Sequence, residues 1–178
     1  RLASGTAHAD NVAPALLGGF TLVRSYTPLD LIKINAPKEL FTTIIHPQIE
    51  IKTADARSVL KKKVTLKKAV IQLGNLGGLI SGLYTENYDL IGRSLHDEIV
   101  EPSRSILIPE FENVIDAAKK AGALGGGISG SGPSVFALSK GKETADKVGL
   151  AMAKVYTTLN LDFDIHVSKV NSKGIKIL

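Results

Sequence analysis

The chain has 178 residues, enough for one domain or one domain plus part of another, and 44% hydrophobic residues suffice for a core. No apolar run approaches the ~18 residues of a membrane span, and the lack of cysteine excludes disulfides and thiolate metal sites, which fits a reducing cytosol. The formal net charge of +5 favours an anionic partner, but aromatics at 5% and no nucleic-acid module signature leave a small phosphorylated ligand fitting equally well.

Arg1 is not an initiator, and Arg-Leu-Ala-Ser-Gly contains no apolar signal region, so we expect a fragment of a longer protein. Ser4 to Leu17 reads as a helix stopped by Gly18-Gly19, with His8 and Asn11 sharing a face. Phe20 to Arg24 and Leu31 to Asn35 read as strands around a turn containing Pro28, and Ala36-Pro37-Lys38 is a candidate domain boundary. Phe41 to His46 is a strand broken at Pro47. Ile49 to Lys52 follows as a short extended piece, and Thr53 caps a helix through Leu60, with Arg57 on the same face. From Leu66 to Leu83 apolar residues keep the 3.6-residue period of a core helix, whose Gly74, Gly77 and Gly78 permit close packing.

A shorter helix covers about Asn87 to Leu95, then helix and loop to Arg104. Pro109 is expected at N1 of a helix burying Phe111, Val114, Ile115 and Ala118, ended by Lys119, Lys120 and Gly122. Leu124 to Ser134 is glycine-rich, and Val135 to Leu138 reads as a strand. Gly125, Gly127 and Gly130 match G-x-G-x-x-G formally, but a strand follows where a dinucleotide fingerprint needs a helix. Ser131 has Ser129 and Pro133 where a nucleophile elbow needs glycines. The segment is a strand–loop–strand connection, serving as a tight turn or as an anion-lining loop. Ala145, Val148, Met152, Val155 and Leu159 make an amphipathic helix; Phe163, Ile165 and Val167 alternate in a strand, and Ile175 and Ile177 form another after a turn at Asn171 to Gly174. Strands and helices mix without a repeated βα unit, so the expected class is α+β.

For chemistry, His8 and Asp10 could bind a metal but have no third ligand at a recognisable spacing. His8 and Asn11 could instead hydrogen-bond a small polar substrate, or simply cap the helix. Arg57 and Arg104 are candidate clamps for a carboxylate or phosphate, because a guanidinium fork pairs bidentately with either. Lys61 to Lys63 reads as a solvated run, and Asp97, Glu98 and Glu101 read as surface charges.

Three separated patterns carry a resemblance across essentially the whole chain. His8-Ala-Asp-Asn-Val-Ala-Pro-Ala-Leu-Leu-Gly-Gly19 resembles the H-x-D-N-x-x-P-x-x-x-G-G segment of the homoserine kinases. His46-Pro through Lys52-Thr-Ala-Asp-Ala-Arg57 resembles their H-P-x-x-x-x-K-T-x-x-A-R segment, and His96-Asp through Glu101-Pro-Ser-Arg104 also fits. The glycine-rich loop looks like the third motif of the wider GHMP small-molecule kinase superfamily. The resemblance implies an α+β chain with an antiparallel sheet packed against helices, the C-terminal part of a two-domain enzyme. Residues 1–37 would end the first domain and 38–178 would form the second.

The implied activity is ATP- and magnesium-dependent phosphorylation of the L-homoserine hydroxyl, on the path to threonine, by a cytoplasmic enzyme for which a homodimer is common. By position, Arg57 and Arg104 would hold the homoserine carboxylate with Thr53 beside them. His8 and Asn11 would line the pocket near the hydroxyl, with Asn11 the catalytic candidate, and Gly130, Ser131 and Gly132 would support the phosphate end. The ATP loop, the first motif and the acidic magnesium ligand have no counterpart in these residues. They are expected before Arg1, with no metal ligand in this chain and no activity from it alone.

Overall fold

The computed structural model describes residues 9–51, 56 and 58–175. They form an α+β fold built on an antiparallel four-stranded sheet, as expected. Helix α1 (Ala9–Leu17) ends at Gly18, and both Gly18 and Gly19 hold φ of 68°, the left-handed stop that glycine permits. Strands β1 (Phe20–Tyr26) and β2 (Leu29–Ile34) pair antiparallel as a separate hairpin. Strand β3 (Leu40–Pro47) then takes an interior place in the main sheet, whose order is β4-β5-β3-β6 with every neighbour antiparallel. Its other members are β4 (Gly125–Ile128), β5 (Val135–Lys140) and β6 (Phe163–Lys169).

Side-chain alternation along β5 sends its residues to two cores. Val135 and Ala137 join Ile45 against Phe111, Val114, Ile115, Val148, Met152 and Tyr156 of helices α5 (Phe111–Lys120) and α6 (Lys142–Thr158). Phe136 and Leu138 face the other way, with Leu40, Ile34, Leu83 and Ile91. The last two come from helices α2 (Leu66–Thr85) and α3 (Tyr88–Ser94). Each such fully buried aliphatic or aromatic side chain contributes ~1.5–3 kcal/mol of burial free energy. The buried hydroxyl of Thr43 is satisfied by the Ala145 carbonyl at 3.1 Å.

Helix ends follow local chemistry. Thr65 caps α2 through Lys68 N–H, and Asn87 caps α3 through Leu90 N–H at 3.0 Å. Helix α5 starts two residues after Pro109, because Glu110 precedes it in the left-handed conformation at φ 54°. Pro109 is therefore not at N1. The inward face of α5 is the expected one, and Gly122 at φ 103° ends it.

Five other expectations need correction. Residues 48–51 form bends and irregular chain rather than an extended strand, and the helical turn at Ala56 and Ser58 stops before Leu60. Helix α2 has the predicted period but is not a core helix in this chain. Leu66, Val70 and Leu73 are 80%, 59% and 67% exposed, and only its C-terminal end is buried. Its glycines divide accordingly: Gly78 and Gly82 pack against Ser94 and Ile91, whereas Gly74 and Gly77 face open space. Leu159 caps α6 as an exposed residue instead of extending its apolar face. Finally, Ile175 lies in no strand; its N–H donates to the Ala15 carbonyl at 2.9 Å, and Ile177 lies outside the described residues.

Candidate functional site

The 96–104 segment is organised by one carboxylate. Asp97 Oδ1 accepts from the N–H groups of Ile99 and Val100 at 2.8 and 2.9 Å, and Oδ2 accepts from Glu101 N–H at 3.2 Å. An anion there holds the two N–H groups leading into helix α4 (Glu101–Arg104) and the first N–H of the helix itself. One turn of helix then places Glu101 and Arg104 on a common face.

Both side chains on that face reach the glycine-rich loop. Arg104 Nη1 donates to the Gly130 carbonyl at 3.0 Å, while Nε donates to the Ala56 carbonyl at 3.3 Å. A guanidinium has five N–H groups, so among the described residues three stay available to a ligand. The Glu101 carboxylate is half-buried and lies over Gly127, close to the Ile128 backbone N–H. Desolvation raises its pKa above the ordinary carboxylate value; the Asp97 and Glu112 charges push the same way, and His96 opposes them.

The loop itself is a closed hairpin end. Ser129 N–H donates to the Ser134 carbonyl at 2.8 Å, and Gly132 N–H to the Ser129 carbonyl at 3.1 Å. Gly130 and Gly132 hold φ of 63° and 83°, a conformation that side-chain-bearing residues rarely adopt, and Ser131 stands exposed at the tip. His46 Nδ1 hydrogen-bonds Ser134 Oγ at 2.8 Å and pins the return of the loop to β3. Beside α4 and β4 lies a cavity of about 230 Å³ lined by Gln72, His96, Asp97, Glu101, Gly127 and Gly130.

Of the residues singled out by sequence, Arg104 and Gly130 are in direct contact, and Ser131 and Gly132 share the same loop. Asn11 sits exposed in the first turn of α1, with no side-chain hydrogen bond among the described residues, and does not line the cavity beside α4. His8, Thr53 and Arg57 lie outside the described residues. Asp97, Glu98 and Glu101 are not surface charges: all three are half-buried, and Glu98 pairs with His96 at 2.9 Å. An Asp a few residues before Pro102, which sits in the first turn of α4, was the available sign of a cap. Nothing in sequence marked His46 as the partner of Ser134.

Among the described residues no group of three His, Asp or Glu side chains could hold a metal ion. Both oxygens of Asp97 serve backbone N–H groups, so this carboxylate does not fit a magnesium site.

Residues 79–158, which run from the end of α2 to the end of α6, match the family model described as GHMP kinases C terminal. The chain belongs to the GHMP kinases, in their C-terminal domain. It is 54% identical to the homoserine kinase of Chlorobium phaeobacteroides (strain BS1) over 180 residues, covering 100% of this chain and 56% of that protein. The homoserine kinase of Pyrococcus furiosus is 41% identical over 176 residues, 99% of this chain and 58% of that one. The crystal structure of homoserine kinase from Cytophaga hutchinsonii superposes with a TM-score of 0.95 at 57% identity, over 97% of this chain and 55% of that one. The chain thus spans little more than half the length of the relatives it matches.

Proposed function

We propose that the full-length protein transfers the γ-phosphoryl group of ATP to the side-chain hydroxyl of L-homoserine, giving O-phosphohomoserine for threonine synthesis. The supporting observation is Arg104: two backbone carbonyls hold its guanidinium beside the glycine-rich loop, and among the described residues three N–H groups remain for a planar anion. Homoserine offers one such anion, its carboxylate, and one nucleophilic hydroxyl. Arg104, with Arg57 and the neighbouring Thr53, grips the carboxylate; His8 and Asn11 serve the hydroxyl end, Asn11 by orienting it. Gly130, Ser131 and Gly132 support the phosphate side. Phosphoryl transfer through a loose transition state depends chiefly on positioning and charge stabilisation, so this site works without a strong base.

ATP and magnesium are held by residues outside this chain, with residues 1–37 closing the first domain and 38–178 forming the second. The enzyme acts in the cytoplasm as a homodimer. No helix among the described residues is long and apolar enough to cross a membrane.

The test is turnover by the full-length protein with ATP and, in parallel, L-homoserine, mevalonate-type alcohols and sugars. Homoserine is expected to be the preferred acceptor by kcat/KM. A mevalonate-type alcohol or a sugar turned over in its place would refute the assignment.

A further inference from the structure

Helix α4 grips the glycine-rich segment at two points. Arg104 takes the Gly130 carbonyl, and one turn earlier the Glu101 carboxylate seats against Gly127, close to the Ile128 N–H. The second grip needs a gap in β4. A Cβ at Gly127 would lie 2.7 Å from Glu101 Oε2, closer than such contacts occur, so the missing side chain is what lets the carboxylate reach the strand backbone. Asp97, by holding the N–H groups of Ile99, Val100 and Glu101, fixes where the helix and Glu101 start from. The carboxylate is partly withdrawn from water, a cost that favours holding it where backbone donors are close, as they are over Gly127. Glu101 touches neither end of the proposed phosphoryl transfer; it connects the element carrying Arg104 to the loop beside it.

We infer that Glu101 is a positioning residue, whose carboxylate, seated over Gly127, sets the register between α4 and the glycine-rich loop and thereby the orientation of the Arg104 guanidinium. This role goes beyond the homoserine kinase assignment and rests on it. If Arg104 binds the substrate carboxylate, losing the register weakens homoserine binding while leaving ATP binding alone.

In the full-length protein, Glu101→Ala should raise the homoserine KM ~10-fold, the loss of one charge-assisted contact, with the ATP KM unchanged. Glu101→Gln keeps a side chain of the same shape and an acceptor oxygen over Gly127 and should restore most of the loss. Gly127→Ala should reproduce Glu101→Ala by displacing the carboxylate. The double variant Glu101→Ala/Gly127→Ala should be no worse than either single one, because both remove the same contact. Hydrogen exchange at the Ile128 amide, faster in the Ala variants and near wild type in Glu101→Gln, reads the contact without any turnover assay.

An unchanged homoserine KM in folded Glu101→Ala overturns the role, as do Ala effects at 101 and 127 that multiply, or a Gln variant as impaired as Ala. Wild-type protein inactive on homoserine refutes the kinase assignment, and the role with it. Wild-type activity alongside an indifferent Glu101→Ala refutes the role alone.

Discussion

Arg104→Ala removes a cation and two hydrogen bonds to backbone carbonyls. The bond to Ala56 is 3.3 Å, at the long end of useful geometry, and the one to Gly130 at 3.0 Å lies at an exposed loop where water replaces it. The stability loss should therefore stay near ~1 kcal/mol. Substrate binding should suffer more. A charge-assisted pair with a carboxylate is worth ~1.5–3 kcal/mol, or ~10–150-fold in homoserine affinity. Arg104→Lys keeps the charge but cannot hold two carbonyls and a carboxylate with one planar fork, so it should recover only part of the loss. The assay is initial-rate kinetics on the full-length protein, varying homoserine at saturating ATP and then the reverse, with thermal melting as a folding control. A folded Arg104→Ala variant with wild-type homoserine KM, or one whose ATP KM rises equally, would refute the clamp.

Asn11→Ala should lower kcat more than it raises the homoserine KM, since orienting the hydroxyl matters most in the transition state; a pure KM effect would reduce Asn11 to simple binding. Tyr156 is fully buried, its hydroxyl has no partner among the described residues, and burial pushes the phenol from its ordinary 10.0 up to about 12. Its folded pKa is raised, so its contribution to stability is complete below pH 10 and is lost as pH rises through about 12. Tyr156→Phe should gain up to ~1 kcal/mol at neutral pH and unfold less readily in alkali, read by denaturant titration across pH; equal alkaline sensitivity would discount Tyr156. A Cβ at Gly126 would meet the Phe136 carbonyl oxygen at 2.2 Å, so Gly126→Ala should cost ~3 kcal/mol or more by forcing β4 from β5, whereas an unchanged denaturation midpoint would mean the strand has room.

The outline of the fold was legible where periodicity and burial coincide. Phe111, Val114, Ile115 and Ala118 repeat at helical spacing and are buried as a set. Phe163, Ile165 and Val167 alternate and face inward together. Helix α2 shows the limit of the same signal. Its apolar residues keep the helical period, yet periodicity reports only that a face is apolar, not which surface covers it. The site was legible in part, because Arg104 and the glycines announce themselves by residue type. Asp97 and Glu101 look in sequence like any solvated acids. What sets them apart is the backbone they meet: for Asp97 the N–H groups of Ile99 to Glu101, for Glu101 the side-chain-free strand at Gly127. His46 and Ser134 likewise become partners only through strand pairing, as Ile45 falls opposite Val135.

The place of β3 in the sheet also constrains the order of events when the protein folds. Both its neighbours, β5 and β6, come from the last third of the chain, and Ile45 pairs with Val135 on one side and Ile165 on the other. A ribosome releases β3 long before either partner exists, so the strand spends that interval with two open edges and its apolar residues uncovered. The α2–α3 pair and the β1–β2 hairpin can form from neighbouring sequence during the same interval, whereas closing the sheet must wait for long loops to close. We therefore expect premature termination before β6 to leave a sticky, half-paired sheet, and chaperone dependence to concentrate on the stretch around Phe41 to Ile45.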